Sequence, residues 1–191
     1  IISHQNAKKR MMEDVELYGG IYSFIKGFIQ PKYDNASLPV FTYESKMTIS
    51  QGNEEIELYN FGKAHTDGDS AVVFKNNNII HTGDAFVRYG YPYVDLNNGG
   101  SIKGLINFLG TLELLCNDNT IIIPGHGGLS KKEDVTNLKN TLDDLYTKTI
   151  IGLKNGLSYR EISDSIDETL NGDTIVKLNY IKSIELELSR N

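Results

Sequence analysis

Cysteine is nearly absent: Cys116 is the only one in 191 residues. An internal disulfide is therefore impossible, and so is a zinc site built on cysteines. No apolar run approaches the length of a membrane span, and no leader pattern is visible. The chain opens on "IISHQNAKKRMM" without an initiator Met, so the missing leader leaves localisation undecided. Positive charge is in deficit as well. The net charge of -6 is spread evenly, without the basic stripe that phosphate backbones require, which argues against a nucleic-acid partner. Neither GxGxxG nor GxxxxGK[ST] occurs, which removes the common nucleotide-binding loops.

What is there suits one folded domain over 1–191. Apolar residues make up 39% and charged residues 23%, the balance of a globular chain. The opening residues read as a strand end followed by a helical or turn segment. "PVFTYESKMTIS" (39–50) and "EEIELYNFG" (54–62) alternate apolar and polar positions around "QGN", which predicts a hairpin. "SAVVFK" (70–75) and "NIIHTG" (78–83) predict a second pair turning at "NNN", with both faces covered.

The period then changes. Ile102, Leu105, Ile106, Leu109, Leu112 and Leu115 mark a helix with Ser101 as N-cap, and Cys116 beyond it reads as a small buried hydrophobe. "TIIIPGHGG" (120–128) reads as a short strand stopped by Pro124. Val135, Leu138, Leu142, Leu145 and Thr149 share one face of a long helix. Ser158 and Glu161 form a capping box for a short helix through Ile162, Ile166 and Leu170. After a break at 171–173, Ile175, Leu178, Ile181 and Leu188 mark a last helix. This order is a layered α/β domain with a helical C-terminus.

The four histidines are His4, His65, His81 and His126. His65 in "GKAHTDGDS" and His126 in "IIIPGHGG" each follow a predicted strand, inside glycine-rich loops. Asp84 follows the strand of "IIHTGDAF" in the same way. Two imidazoles and a carboxylate at rigid strand ends suit a zinc ion with a position left for water. The plain alternatives stand beside this: Asp84 as a turn former, and His65 and His126 as exposed loop residues. His81 reads as a structural histidine, and His4, ahead of Lys8, Lys9 and Arg10, as a solvated helix start. Arg88, Tyr89 and Tyr91 in "RYGYPY" read equally well as a substrate wall or as cover for the core edge.

"HTDGDSAVVF", "IIHTGDAF" and "TIIIPGHG" resemble, in order and spacing, the later motifs of the metallo-β-lactamase superfamily, and the likeness runs over nearly the whole chain. The resemblance implies an αββα sandwich with one or two zinc ions at one edge of the sheets, iron or manganese being alternatives. It implies that His65 binds the first metal, His126 the second, and that Asp84 bridges them. An Asp there is usual in hydrolases of thioesters, phosphodiesters and lactones, whereas the commonest antibiotic-hydrolysing members carry Cys. The implied function is a metal-dependent hydrolase in which a metal-bound hydroxide attacks an ester, thioester, amide or phosphodiester-type small molecule. The family's first motif, HxHxDH, is not in the sequence. The expectation is that the chain lacks the N-terminal part of the first sheet and, as it stands, is inactive. The alternative is a non-catalytic member acting as a scaffold, against which the joint presence of His65, Asp84 and His126 argues. Substrate, oligomeric state and compartment are not implied.

Overall fold

The computed structural model of the protein describes residues 1–17, 28–166 and 174–190. Ile2–His4 (β1) runs directly into Gln5–Met11 (α1), as the opening residues suggest. His4 is the N-cap of α1: its Nδ1 accepts the Asn6 backbone N–H at 3.3 Å, and its ring stands edge-on to Tyr43. It is only 5% exposed, so the expected solvated helix start is corrected to a buried cap. Lys8, Lys9 and Arg10 fall in the last turn, where cations offset the helix dipole.

Val15–Leu17 (β2) pairs antiparallel with Phe28–Gln30 (β3), and Phe41–Tyr43 (β4) pairs parallel with β1. The stretch 39–50 is therefore not one strand. A bend at Glu44 and Ser45 separates β4 from Lys46–Gln51 (β5), which belongs to a different sheet. Alternation reports that a segment is extended, not which partner it meets.

β5 leads the main sheet and pairs antiparallel with Glu54–Tyr59 (β6), turning at Gly52 with φ 61°. Ala71–Phe74 (β7) and Ile79–Val87 (β8) follow as the second antiparallel pair, with Asn78 at φ 52° in the turn. Ile121–His126 (β9) joins β8 in parallel, giving the order β5-β6-β7-β8-β9. Pro124 lies inside β9 rather than stopping it. An edge strand tolerates the missing N–H, and the β8–β9 register slips at this proline.

Cross-strand register sorts the two faces. Glu57, Val73, Ile80 and Ile122 form a row on the face that meets the helices, and Ile80 and Ile122 are core residues. Met47, Leu58, Val72, His81 and Ile123 line up on the opposite face. His81 there accepts the Gly83 N–H through Nδ1 at 3.1 Å, the local structural role expected of it.

Four helices lie on the side of the first face: Ile102–Leu115 (α2) packs against β8, and Lys132–Lys154 (α3), Tyr159–Asp164 (α4) and Thr174–Ser189 (α5) pack with α2 and with one another. Ser101 caps α2 by accepting the Gly104 N–H, and the Ser158–Glu161 capping box opens α4. The predicted faces of α2 and α3 are buried, with Phe108 added and Leu115 turned outward. On α5 the buried face is Lys177, Tyr180, Ile181 and Ile184, while Ile175 and Leu188 are exposed. Lys177 buries its stem and donates from Nζ to the carbonyls of Ser163 and Ile166 near the end of α4. Leu170 and the break at 171–173 lie outside the described residues.

Cys116, just past α2, is buried, and desolvation pushes its thiol up to about 11. A thiol that stays protonated and enclosed reacts slowly. Native protein at pH 8 is expected to leave Cys116 unmodified by a disulfide reagent, with complete modification once denaturant unfolds the chain. Rapid modification of the native protein would contradict this packing. Among the described residues no helix is long and apolar enough to cross a membrane.

Candidate metal centre

His65 sits in a turn that the sequence ties to itself. Asp69 accepts the Thr66 N–H at 2.9 Å and the Thr66 hydroxyl at 2.8 Å, and Gly68 N–H donates to the same hydroxyl oxygen. Burial pushes the Asp69 carboxyl above its ordinary range, while the Thr66 hydrogen bonds pull the other way. The turn is also clamped from outside. Asp95 N–H donates to the His65 carbonyl at 2.8 Å, and Ser101 N–H to the Ala64 carbonyl at 3.0 Å. On the other side, Arg10 of α1 pairs with Asp67 at 2.6 Å.

The ring of His65 has a defined direction. Its Nδ1 lies 2.8 Å from the Tyr93 carbonyl oxygen. A carbonyl only accepts, so Nδ1 carries the proton, and in the neutral ring Nε2 keeps its lone pair. That lone pair faces Asp84, with Nε2 3.9 Å from Oδ2.

Asp84 and His126 come from neighbouring strands. Gly83 pairs with Pro124, and the next pair is Val87 with His126, so Asp84, Ala85 and Phe86 stand opposite Gly125 alone. A bulge of this kind bends the strand and re-aims its side chains. Asp84 therefore lies within β8, not at its end, and His126 is the last residue of β9 rather than a loop residue beyond it. Gly83 turns the chain at φ 54°. Gly125 lies so close beneath the carboxylate that a Cβ there would fall 2.0 Å from Asp84 Oδ1. His126 Nε2 is 3.4 Å from Asp84 Oδ1.

Each oxygen of one carboxylate thus faces one imidazole nitrogen. The three side chains adjoin pairwise through Asp84 but do not close around a single point. Among the described residues, no group of three or more His, Cys, Asp or Glu side chains is arranged to hold one ion. The donor chemistry nevertheless fits a divalent cation. At 3.9 Å no hydrogen bond links His65 Nε2 to Asp84, and a lone pair facing a carboxylate oxygen is an arrangement that a cation relieves. A ligating histidine commonly donates its other ring N–H to a carbonyl, as His65 does to Tyr93.

The three residues of the expected substrate wall part company. Tyr89 is exposed, its ring tilted 5.6 Å from that of His126. Arg88 pairs with Asp134 in the first turn of α3. Tyr91 is buried in the core against Tyr180, so of the two readings given for it the structure favours core cover over a substrate wall. Sequence reading missed Asp69, although Thr66 and Asp69 have the spacing of a self-bonded turn. It also missed the Tyr93 carbonyl, for which a side-chain pattern carries no signal.

No family model matches the sequence, and no curated protein matches it. Solved structures do. A stereoselective inverting sec-alkylsulfatase from Pseudomonas sp. aligns with a TM-score of 0.59 at 11% identity, over 80% of this chain and 27% of that one. A metallo-β-lactamase family protein from Thermus thermophilus gives 0.56 at 17% identity, over 84% and 50%. The BLEG-1 B3 metallo-β-lactamase gives 0.55 at 16% identity, over 74% and 64%. The chain thus spans less than two thirds of each of these structures, and identities this low speak to architecture. In architecture, the chain is a metallo-β-lactamase-fold protein.

Proposed function

We propose that the protein is a metal-dependent hydrolase whose cations, zinc before iron or manganese, are held by His65, Asp84 and His126. The observation that carries this reading is the pairing of one carboxylate with two imidazoles, one of them oriented by a backbone carbonyl. When bound, the cation supplies Lewis-acid activation of water and of a carbonyl or phosphoryl oxygen.

The chain's own residues do the rest. The Tyr93 carbonyl holds the proton on His65 Nδ1 and so keeps Nε2 free to ligate. Asp84 supplies the negative charge between the two imidazoles and would be the carboxylate nearest a water activated there. Tyr89 at the exposed rim next to His126 is the residue we assign to substrate contact. Arg88 at the same rim is tethered to Asp134, which offsets its charge and fixes its guanidinium. The substrate class is a small ester, thioester, amide or phosphodiester.

HxHxDH does not occur in the sequence, and three donors shared between two positions make a weak site. The 191-residue chain is therefore expected to hold metal loosely and turn over slowly. Hydrolysis of p-nitrophenyl acetate, a thioester, bis-p-nitrophenyl phosphate and a p-nitrophenyl sulfate is measured with added zinc or manganese. The sulfate belongs in the panel because one fold neighbour is an alkylsulfatase. The expected result is a small metal-dependent rate on at least one substrate that Asp84→Asn removes. Rates equal to the metal salt alone for every substrate would count against a hydrolase and for a scaffold.

A further inference from the structure

The segment that seats His65 is itself held by the C-terminal helix. Residues 91–104 hold the His65 turn at several points: the Tyr93 carbonyl accepts from His65 Nδ1, Asp95 N–H donates to the His65 carbonyl, and Ser101 N–H donates to the Ala64 carbonyl. From the other side, Tyr180 of α5 donates its hydroxyl to the carbonyl of Pro92, the residue before Tyr93. Glu187 of α5 places its carboxylate on the N-terminus of α2. It accepts from the Ser101 hydroxyl at 2.6 Å and from the Ile102 N–H at 2.8 Å.

The position of Glu187 has a steric logic. The residue that would provide an acid to this helix start locally is the third of α2, Gly104. A Cβ at Gly104 would fall 2.2 Å from the Lys63 carbonyl, two residues before His65, so no side chain fits there. The acid comes from α5 instead, where a negative charge on a helix N-terminus is favourable. α2 thus approaches the His65 turn closely where Gly104 has no side chain, and the carboxylate at its N-terminus reaches it from α5.

We propose that α5 is a positioning element for the candidate metal centre: Tyr180 and Glu187 hold the 91–104 segment so that the Tyr93 carbonyl fixes the His65 ring with Nε2 toward Asp84. The proposal rests on the reading of His65 as a metal ligand, and two separate readouts distinguish their failures. Long-range proton–nitrogen spectra of the metal-free protein report which nitrogen of His65 carries the proton. A cobalt(II) titration reports binding. Both are run on the wild type, Glu187→Gln, Tyr180→Phe and, as a control, Tyr159→Phe. The control breaks a bond between Tyr159 and Glu185 on the same helix, away from 91–104.

The wild type and the control are expected to show His65 protonated at Nδ1. Glu187→Gln and Tyr180→Phe are expected to show a mixture of tautomers and cobalt affinity lowered about 10-fold. An unchanged Nδ1–H tautomer in both variants would overturn the proposal. If Glu187→Gln does not fold, Tyr180→Phe decides the matter alone. If the variants shift the tautomer while the wild type binds no cobalt, the positioning stands and the metal reading fails.

Discussion

Replacing Asp84 with Asn is expected to weaken zinc binding by at least about 100-fold, because losing even an outer-shell partner of a ligand costs about 10–100-fold and Asp84 is assigned as a ligand itself. The change keeps the side chain's shape and removes its charge. In the native arrangement Oδ1 lies 3.4 Å from His126 Nε2 and Oδ2 3.9 Å from His65 Nε2. Both nitrogens are separated by a single carboxylate, so its charge is what any cation on either side meets first. An amide offers one oxygen and turns an N–H toward one of the imidazoles, where it competes with the metal for the lone pair. Stability moves little, because Asp84 is partly exposed and asparagine can still bond its neighbours. Isothermal titration with zinc and a thermal melt of both proteins check the two halves. Loss of affinity with an intact fold is the outcome expected.

The second large effect comes from a residue with no functional group. Gly125→Ala is expected to cost about 1–3 kcal/mol of stability, the range for overpacking a tight contact. It should also lower zinc affinity by at least about 10-fold, as displacement of a ligand's support does. The added methyl would meet the Asp84 carboxylate, which could swing away, but also the Gly83 carbonyl carbon at 2.7 Å and the Asp84 nitrogen at 2.8 Å. Those backbone atoms move only if β8 and β9 part at the bulge that aims Asp84. Gly128→Ala is the matched control, since a methyl there meets nothing within 4 Å. Urea unfolding and zinc titration of both variants separate the cases. Equal stability and affinity for the two would show that the close approach under Asp84 does not matter.

These two effects also mark what a sequence displays and what it hides. Hairpins closed at Gly52 and Asn78, the α2 start at Ser101 and the Ser158–Glu161 box were all legible. Each depends on residues close together in the chain, and local geometry writes local patterns. Features that depend on a distant strand or helix were not legible. His4 looked solvated because its burial is provided by Tyr43. The stretch 39–50 looked like one strand because alternation is silent about partners. Pro124 looked like a stop because its tolerance depends on β9 being an edge.

The candidate site divides along the same line. His65, Asp84 and His126 were identifiable by residue type and by their place in a resembling set of motifs. The approach of Asp84 to His126 comes from a register slip between two strands, and His65 is aimed at them by the Tyr93 carbonyl, neither of which a single segment encodes. The supports were hidden more deeply. The Tyr93 carbonyl is backbone, Gly125 acts by having no side chain, and Glu187 reaches α2 from the far end of the chain. On α5 the Leu and Ile spacing marked the helix and the buried Ile181, but not that Tyr180 and the stem of Lys177 complete the buried face while Ile175 and Leu188 are exposed.

What remains to be decided by experiment is the assignment of His65 and His126, joined by Asp84, as the residues that receive a metal ion. Its most direct test is a zinc titration followed on the ring nitrogens of all four histidines, in the protein and in Asp84→Asn. The Nε2 signals of His65 and His126 are expected to move together while His4 and His81 stay still, and Asp84→Asn is expected to suppress the movement. Zinc-dependent shifts confined to His4 or His81, or shifts at His65 and His126 that survive loss of the Asp84 charge, would contradict it.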